Sequence, residues 1–538
     1  MDPKYACDNT HPTGDLSNNI SNDKDFLKPL ICDTYGGQVH VEWDPETPIT
    51  PIGQLVFFVQ FLKTCELFKN WVDDCPLDLT SPNASKKVDI LGTMLLAVLS
   101  GQYRYAHISG IRNDTVNPEL LGMNKVLSED SVRRAFQHAD QVKCEAWQQT
   151  HLKKCYNLLL DEKWILDVDT TVKVLYGHQE GAEVGYNPQK PGRPAHIIHT
   201  YMMAETRLIL DSEVLPGKQT PSSYSLPRLL ELIDEQPKEK QPSLVRGDCA
   251  FGNELVLGEL EKRAVPYLFK IRQTKKAREL IDLCNRKESL WVDAGQDWEG
   301  TEAELQLSTW PKKRRVIVLR RYIEKEKRPG RKKKNLAQLL LPFMNEVQDS
   351  SEYEYAILVT SLNEEVLAIA QLYRDRATCE NTFDELKNQW GWAGFVTKDL
   401  KRSQIMARVV TQVYNWWTLY TRWIDPEKHR EAITSRPLML YAVAKKIRHA
   451  GQTTLKVSPL HAKSEGVKKR IGLISRFLKA IKRYAEQFDP KTIFRIILSS
   501  IFVKYLKGRI LGKPYSNENM SHSKGLTEET MRGKLVYG

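Results

Sequence analysis

Long apolar runs are scarce in this chain. The longest, Thr492 to Val503, covers 12 residues and is interrupted by Arg495, against the roughly 20 that a membrane-crossing helix needs. No bilayer span is expected. The first ten residues, MDPKYACDNT, carry no basic stretch leading into an apolar one and do not read as a secretory leader. Cysteine is sparse, odd in number and never spaced C-x-x-C: Cys7, Cys32, Cys65, Cys75, Cys144, Cys155, Cys249, Cys284 and Cys379. That excludes a zinc ribbon and argues against a disulfide framework, leaving reduced thiols in an intracellular, cytoplasmic protein as the expectation.

Size and charge are present in quantity. The 538 residues are 41% hydrophobic and 27% charged, enough for three or four cores at roughly 150 residues per domain. The net charge of +12 is unevenly placed, because residues 401–538 hold 28 Lys/Arg against 9 Asp/Glu. A second block, Pro311 to Asn335, holds 13 basic and 2 acidic residues. Such blocks suit a polyanion, with nucleic acid first. A solvated basic loop is the plainer reading of the second block taken alone.

Along the chain, residues 1–50 read as an extended arm with one strand near Gln38 to Trp43. In 51–161 apolar residues recur at helical spacing (Leu55, Phe58, Val59, Phe61, Leu62; Ile90, Leu91, Met94, Leu95, Val98), which predicts a helical N-terminal domain. Ser128 followed by Glu129 and Asp130 predicts a capped helix start. With Arg133 and Arg134 close behind, that helix suits either a DNA-reading helix-turn-helix or an ordinary capped surface helix. From 162 to 270 the alternation turns to strands (WILDVDTT, AHIIHTYMMAE, RLILDSEVL, SLVRGD), then a helix in GNELVLGELEKRAV and a strand in YLFKI. Three meandering strands followed by a crossover describe the front half of an RNase H-like α/β core. Residues 271–350 suggest a β-rich insertion, 351–398 the second part of the core, 399–515 a basic helical C-terminal domain and 516–538 a flexible tail.

The chemistry lies at strand ends. Asp169 and Asp248 each lie at the end of a predicted strand, where carboxylates can converge on a hard cation. Asp167 lies two residues before Asp169 on the same face, so periodicity does not choose between them. From Leu372 a predicted helix carries Tyr373, Arg376, Glu380 and Lys387. At about 100° per residue their offsets fall within roughly 60°. One carboxylate among a phenol, a guanidinium and an ammonium suits a site for metal and phosphate, while a surface stripe with a Glu/Arg pair is the plainer alternative.

These residues carry a resemblance. Tyr373, Arg376, Glu380 and Lys387 match Y-x2-R-x3-E-x6-K at full spacing, the signature of a group of bacterial insertion-sequence transposases of the DDE type. DTTVKVLYGHQEGA from Asp169, with Tyr176, His178 and Gln179, is similar to the family's D-T-T block, and RGDCAFGNELVLGELEKRAVPYLFKIR to the block around its second aspartate. The separations of 79 and 132 residues suit a core interrupted by an insertion. The resemblance implies cut-and-paste DNA transposition on a two-metal site of Mg²⁺ or Mn²⁺. Asp169, Asp248 and Glu380 would be the catalytic metal ligands, which favours Asp169 over Asp167. Water would free a 3′-OH at the element's end, the 3′-OH can close a hairpin on the opposite strand, and strand transfer into target DNA follows. Tyr373, Arg376 and Lys387 would hold the DNA backbone. A Trp of the insertion can stack on a flipped base, with Trp298 and Trp310 as candidates, though a buried core Trp is the plainer reading of each. Lys190 and Arg193, in a Pro/Gly loop, suit either a DNA contact or a solvated turn. His178 reads as structural. Double-stranded DNA ends and a homodimer pairing them are the implied partners, with the protein on the nucleoid when DNA-bound. The alternatives are an RNase H-like nuclease without strand transfer and a catalytically silent DNA-binding remnant.

Overall fold

The computed structural model describes residues 30–44, 46–187, 190–218, 221–287, 290–323, 352–392, 394–458, 465–484 and 489–512. The flexible tail expected at 516–538 and most of the arm expected at 1–50 lie outside them. So does the second half of the basic block, from residue 324.

The described residues begin with a hairpin, β1 (Leu30–Thr34) and β2 (Gly37–Val41), and a short β3 (Ile49–Thr50). The helical region follows as α1 (Leu55–Thr64), α2 (Leu67–Asp73), α3 (Lys87–Leu99), α4 (Asn117–Leu120), α5 (Glu129–Ala135) and α6 (Gln141–Tyr156). Ser128 caps α5 by accepting from the Ser131 N–H, as its sequence position predicts.

The alternating segments form the expected sheet. β4 (Ile165–Val174), β6 (Pro194–Met203) and β7 (Leu208–Pro216) pair antiparallel as a meander, with a short β5 (Glu183–Val184) at the β6 edge. The chain then crosses through α7 (Pro221–Asp234) to β8 (Leu244–Gly247), parallel to β4, and through α8 (Glu254–Lys262) to β9 (Tyr267–Lys270), parallel to β8. Parallel neighbours require such helical crossovers. After α9 (Lys275–Asn285) come β10 (Val292–Gly295), β11 (Trp298–Leu305), β12 (Arg314–Tyr322) and β13 (Tyr353–Thr360). The order β10-β11-β12-β13-β9-β8-β4-β6-β5, with β7 on β6, makes one ten-stranded sheet. The β-rich insertion therefore extends the core sheet from its β9 edge rather than standing apart from it.

This placement changes the meaning of the basic block. Its first half is strand β12, whose arginines meet glutamates: Arg314 with Glu254 at 2.6 Å and Glu261 at 2.7 Å, Arg315 with Glu302 at 2.6 Å, Arg320 with Glu299 at 2.7 Å, and Arg321 with Glu354. In this first half, charge that looked available to a polyanion is satisfied within the fold.

The last part of the molecule begins with α10 (Val366–Arg374), α11 (Ala377–Gln389) and α12 (Leu400–Ile424). Asp399 caps α12 by accepting from the Arg402 N–H at 2.8 Å. This 25-residue helix is buried nearly all round, as a helix enclosed by its neighbours must be. Its Trp416 meets Trp71 edge-on at 5.4 Å, and Trp417 and Tyr420 each lie 5.3 Å from Phe58. On its other side Arg408 pairs with the wholly buried Asp211 of β7 at 2.9 Å, which Arg228 of α7 also holds at 2.8 Å. Asn415 accepts from the Ile209 N–H at 2.9 Å and donates to its carbonyl at 2.8 Å, completing the free edge of β7.

Beyond α12 lie α13 (Ala432–Met439), a hairpin of β14 (Ala444–His449) and β15 (Gln452–Val457) joined by β3, and helices α14 (Glu465–Tyr484) and α15 (Pro490–Ile501). One apolar core joins the N-terminal helices, the sheet, α12 and the last two helices, from Ile52 to Leu511. A smaller cluster lies between the sheet and α10, around Leu268, Leu319, Leu358 and Ile369. Among the described residues no helix is long and apolar enough to cross a membrane, and the eight described cysteines are free.

Candidate active site

β4 and β8 run side by side in parallel, with Val168 opposite Gly247. That register sets Asp169, which lies in the middle of β4 and not at a strand end as expected because β4 runs on to Val174, beside Asp248, the first residue after β8. Gly247 is confined: a Cβ there would lie 2.9 Å from the Phe269 ring and 3.0 Å from Val168 Cγ2. Asp248 Oδ1 accepts from the Ala250 N–H at 2.9 Å, closing a turn before Asn253 caps α8.

Asp167 is separated from Asp169 by its surroundings. It is fully buried, and Arg246 of β8 grips it with two bonds, Nε to Oδ1 at 2.7 Å and Nη2 to Oδ2 at 2.8 Å. Its oxygens are thereby engaged. Arg246 escaped the sequence reading, although its offset of two residues from Asp248 on a strand places both on one face.

Arg246 also shapes the helix carrying the signature residues. Its Nη1 donates to the Leu372 carbonyl, the acceptor that Arg376 N–H would use in an unbroken α-helix. Arg376 N–H turns instead to Tyr373 O at 3.2 Å. The single helix expected from Leu372 is therefore two, α10 ending at Arg374 and α11 starting at Ala377. The two linking residues keep right-handed dihedrals, φ −60° and ψ −15° for Asp375, φ −64° and ψ −20° for Arg376.

The break brings Arg376 inward. Its Nη1 donates to Asp169 Oδ2 at 2.9 Å and its Nη2 to Glu380 Oε1 at 2.5 Å, with its guanidinium 5.8 Å from the centre of the buried Tyr373 ring. Arg376 is itself 3% exposed, so in this arrangement its partners are carboxylates and not a DNA backbone. Lys387, in the last turn of α11, donates to Thr171 Oγ1 of β4 at 3.3 Å. Asp169, Asp248, Glu380, Tyr373 and Arg376 thus come together, with Lys387 further along β4.

The carboxylates crowd one another. Burial, then the nearby Asp169 charge, pushes Asp248 up to about 6, and burial raises Glu380 despite Arg376 beside it. Arg376, with Arg272 acting on Asp248 and Lys270 on Glu380, does not offset the burial of these acids. An all-oxygen set from three elements matches the donor chemistry of a hard divalent cation. Among the described residues no three His, Cys, Asp or Glu side chains stand ready to hold a metal, and Arg376 lies where two of these carboxylates would converge. The donors fit such an ion once that guanidinium moves aside.

The Asp248 shift has a consequence for stability. A carboxyl held near 6 when folded and near 3.8 when unfolded binds its proton more tightly in the fold. Its stabilising contribution is complete below about pH 4 and is lost as pH rises through about 6. Asp248→Asn is therefore expected to melt above the wild-type protein at pH 7 in EDTA and alongside it at pH 4. Melting curves of both across that range test it, and parallel profiles would refute it.

The other expected residues lie apart. Trp298 and Trp310 belong to the insertion, and β11 stands four strands from β8, roughly 19 Å at about 4.8 Å per strand. Trp310 is buried beneath Arg314, and Trp298 is half-buried under Arg321. Arg133 and Arg134 are exposed on α5, both paired to Asp130. Lys190 and Arg193 are exposed and gather on Tyr176, with Lys190 Nζ donating to its hydroxyl at 2.5 Å and the two cations 5.1 and 5.7 Å from the ring centre.

With this geometry in hand, the chain belongs to the DDE transposase family: the family described as "Transposase DDE domain group 1" matches residues 80–476. Among solved structures it is similar to a piggyBac transposase synaptic complex with hairpin DNA, at 11% identity and a TM-score of 0.37 over 89% of this chain and 90% of that one. No curated protein matches it.

Proposed function

We propose that the protein cuts DNA at the ends of its own mobile element and joins the freed ends to new DNA, using Asp169, Asp248 and Glu380 as the ligands of two Mg²⁺ or Mn²⁺ ions. The observation that carries this reading is the convergence of the three carboxylates from β4, the β8 end and α11 around one guanidinium. When bound, such ions supply Lewis-acid activation of a water or hydroxyl and stabilise the leaving oxygen. The chain's own contribution is placement. Arg246 fixes Asp167 and the α10 end, so that Asp169 and Arg376 keep their relation across the sheet. Lys387, held at Thr171 further along β4, supplies a point charge for the DNA backbone. A 3′-OH released at one end is the nucleophile both for closing a hairpin and for strand transfer, and pairing two ends calls for two copies of the chain.

The test is incubation of the purified protein with a labelled duplex carrying the terminal repeat that borders the gene, with and without Mg²⁺. Metal-dependent nicking at the repeat boundary, lost in Asp248→Ala, is the expected result. Binding without cutting under every divalent metal would favour the silent remnant, and cutting without joining the RNase H-like nuclease.

A further inference from the structure

β4 continues past Asp169, and its alternate residues Asp167, Asp169, Thr171 and Lys173 share one face. Thr171 already holds Lys387. Lys173 stands four residues beyond Asp169, roughly 13 Å along the strand. It helps to line a small pocket with Ile198, Trp392, Phe395 and Met406. Burial, then the positive charges of Lys387 and Arg104, pushes its ammonium down to about 8, and no acid acts on it in the opposite sense. Lys387 is likewise lowered by burial, with Asp384 acting against that.

The third cation is held in place by backbone. Arg104 follows Tyr103, and the loop after α11 presses on that residue. A Cβ at Gly394 would fall 2.0 Å from the Tyr103 carbonyl oxygen, and Gly391, at φ +65°, would meet Tyr103 Cβ at 2.6 Å. Only glycine allows this approach. Arg104 is exposed and lies 5.8 Å from the centre of the Tyr103 ring.

Other cations of the sheet and its helices are paired with acids: Arg246 with Asp167, Arg376 with Asp169 and Glu380, and the four β12 arginines with glutamates. Among the described residues Lys173, Lys387 and Arg104 form no ion pair with a carboxylate. Like charges gathered beside buried side chains cost stability, and with only Asp384 acting on Lys387 the three cations are in excess, a surplus that a bound anion offsets.

Resting on the transposase reading, we propose that Lys173, Lys387 and Arg104 clamp a DNA backbone phosphate neighbouring the one cut at the carboxylates. Lys387 was expected to touch DNA; Lys173 and Arg104 make the contact a three-sided site. Lys173 is a positioning residue here, acting on the strand beside the cut and not on the reacting atoms.

The experiment uses the full-length chain without divalent metal and a fluorescent duplex carrying the terminal repeat that borders the gene. Lys173→Gln is expected to bind about tenfold more weakly and to reduce the slope of log K against log salt by about 0.9, the value for one phosphate. Lys173→Arg should restore both. Melting temperature separates this from a structural role, since removing one of three crowded cations should leave the free protein as stable as before or more so. Replacing single phosphates near the cut by neutral methylphosphonates should reveal one position at which wild-type and Lys173→Gln proteins bind alike. Wild-type affinity in Lys173→Gln, a lowered melting temperature unrescued by Lys173→Arg, or an equal loss at every phosphate would overturn the clamp. If the wild-type chain binds but never cuts with Mg²⁺, the transposase reading falls while the clamp is judged on the binding series alone. If it does not bind the duplex, both fall.

Discussion

Glu380→Gln is expected to lower Mg²⁺-dependent cleavage by about three orders of magnitude, roughly 4 kcal/mol of transition-state stabilisation at 1.36 kcal/mol per decade, and to leave binding of the end duplex largely unchanged. The substitution keeps an oxygen able to accept from Arg376 Nη2, now 2.5 Å from the carboxylate, so the α10–α11 junction should survive. It removes the negative charge that a divalent cation requires and no cation that DNA would use. Single-turnover nicking rates, read beside anisotropy binding curves, separate the two effects. Cleavage at the wild-type rate would mean that the third carboxylate lies elsewhere.

Arg376→Ala should act on the protein before any DNA arrives. The guanidinium is buried between Asp169 and Glu380, and removing one partner of a buried pair strands the other's charge at a cost of about 3 kcal/mol. Both carboxylates keep some exposure, which brings the expected loss nearer to about 2 kcal/mol. In EDTA the variant should therefore unfold at clearly lower denaturant. Adding Mg²⁺ should recover more stability in Arg376→Ala than in wild type, because the ion replaces the missing positive charge without first displacing a side chain. Equal metal-induced shifts in the two proteins would show that guanidinium and metal do not compete for the same carboxylates.

The central strands were legible because each states its face in alternate residues. WILDVDTT, AHIIHTYMMAE and RLILDSEVL are β4, β6 and β7, and the parallel β8 and β9 follow from the helix between them. Elements whose composition disguises them were not. Helix α7 contains Pro227 and a Ser-rich start, and its role emerges only from Arg228 meeting the buried Asp211. The β14–β15 hairpin lay inside a stretch that reads as basic and helical, because a hairpin outside the main sheet shows little of the alternation that marks a strand. The candidate site was legible in its residues and not in its electrostatics. Spacing put Tyr373, Arg376, Glu380 and Lys387 on one face, but could not show Arg246 drawing away the Leu372 carbonyl and so turning Arg376 onto the acids. Lys173 was within reach of the same two-residue stepping that pairs Asp167 with Asp169, carried two steps further.

Helix α12 constrains how such a protein can change. Because its tryptophans fill the N-terminal helices while its Arg408 and Asn415 complete strand β7, the part that carries the carboxylates shares a spine with the parts on either side. A fragment ending before residue 400 would leave the β7 edge open and Asp211 with one guanidinium fewer. Swapping the flanking regions between relatives would mean recutting both faces of one helix together.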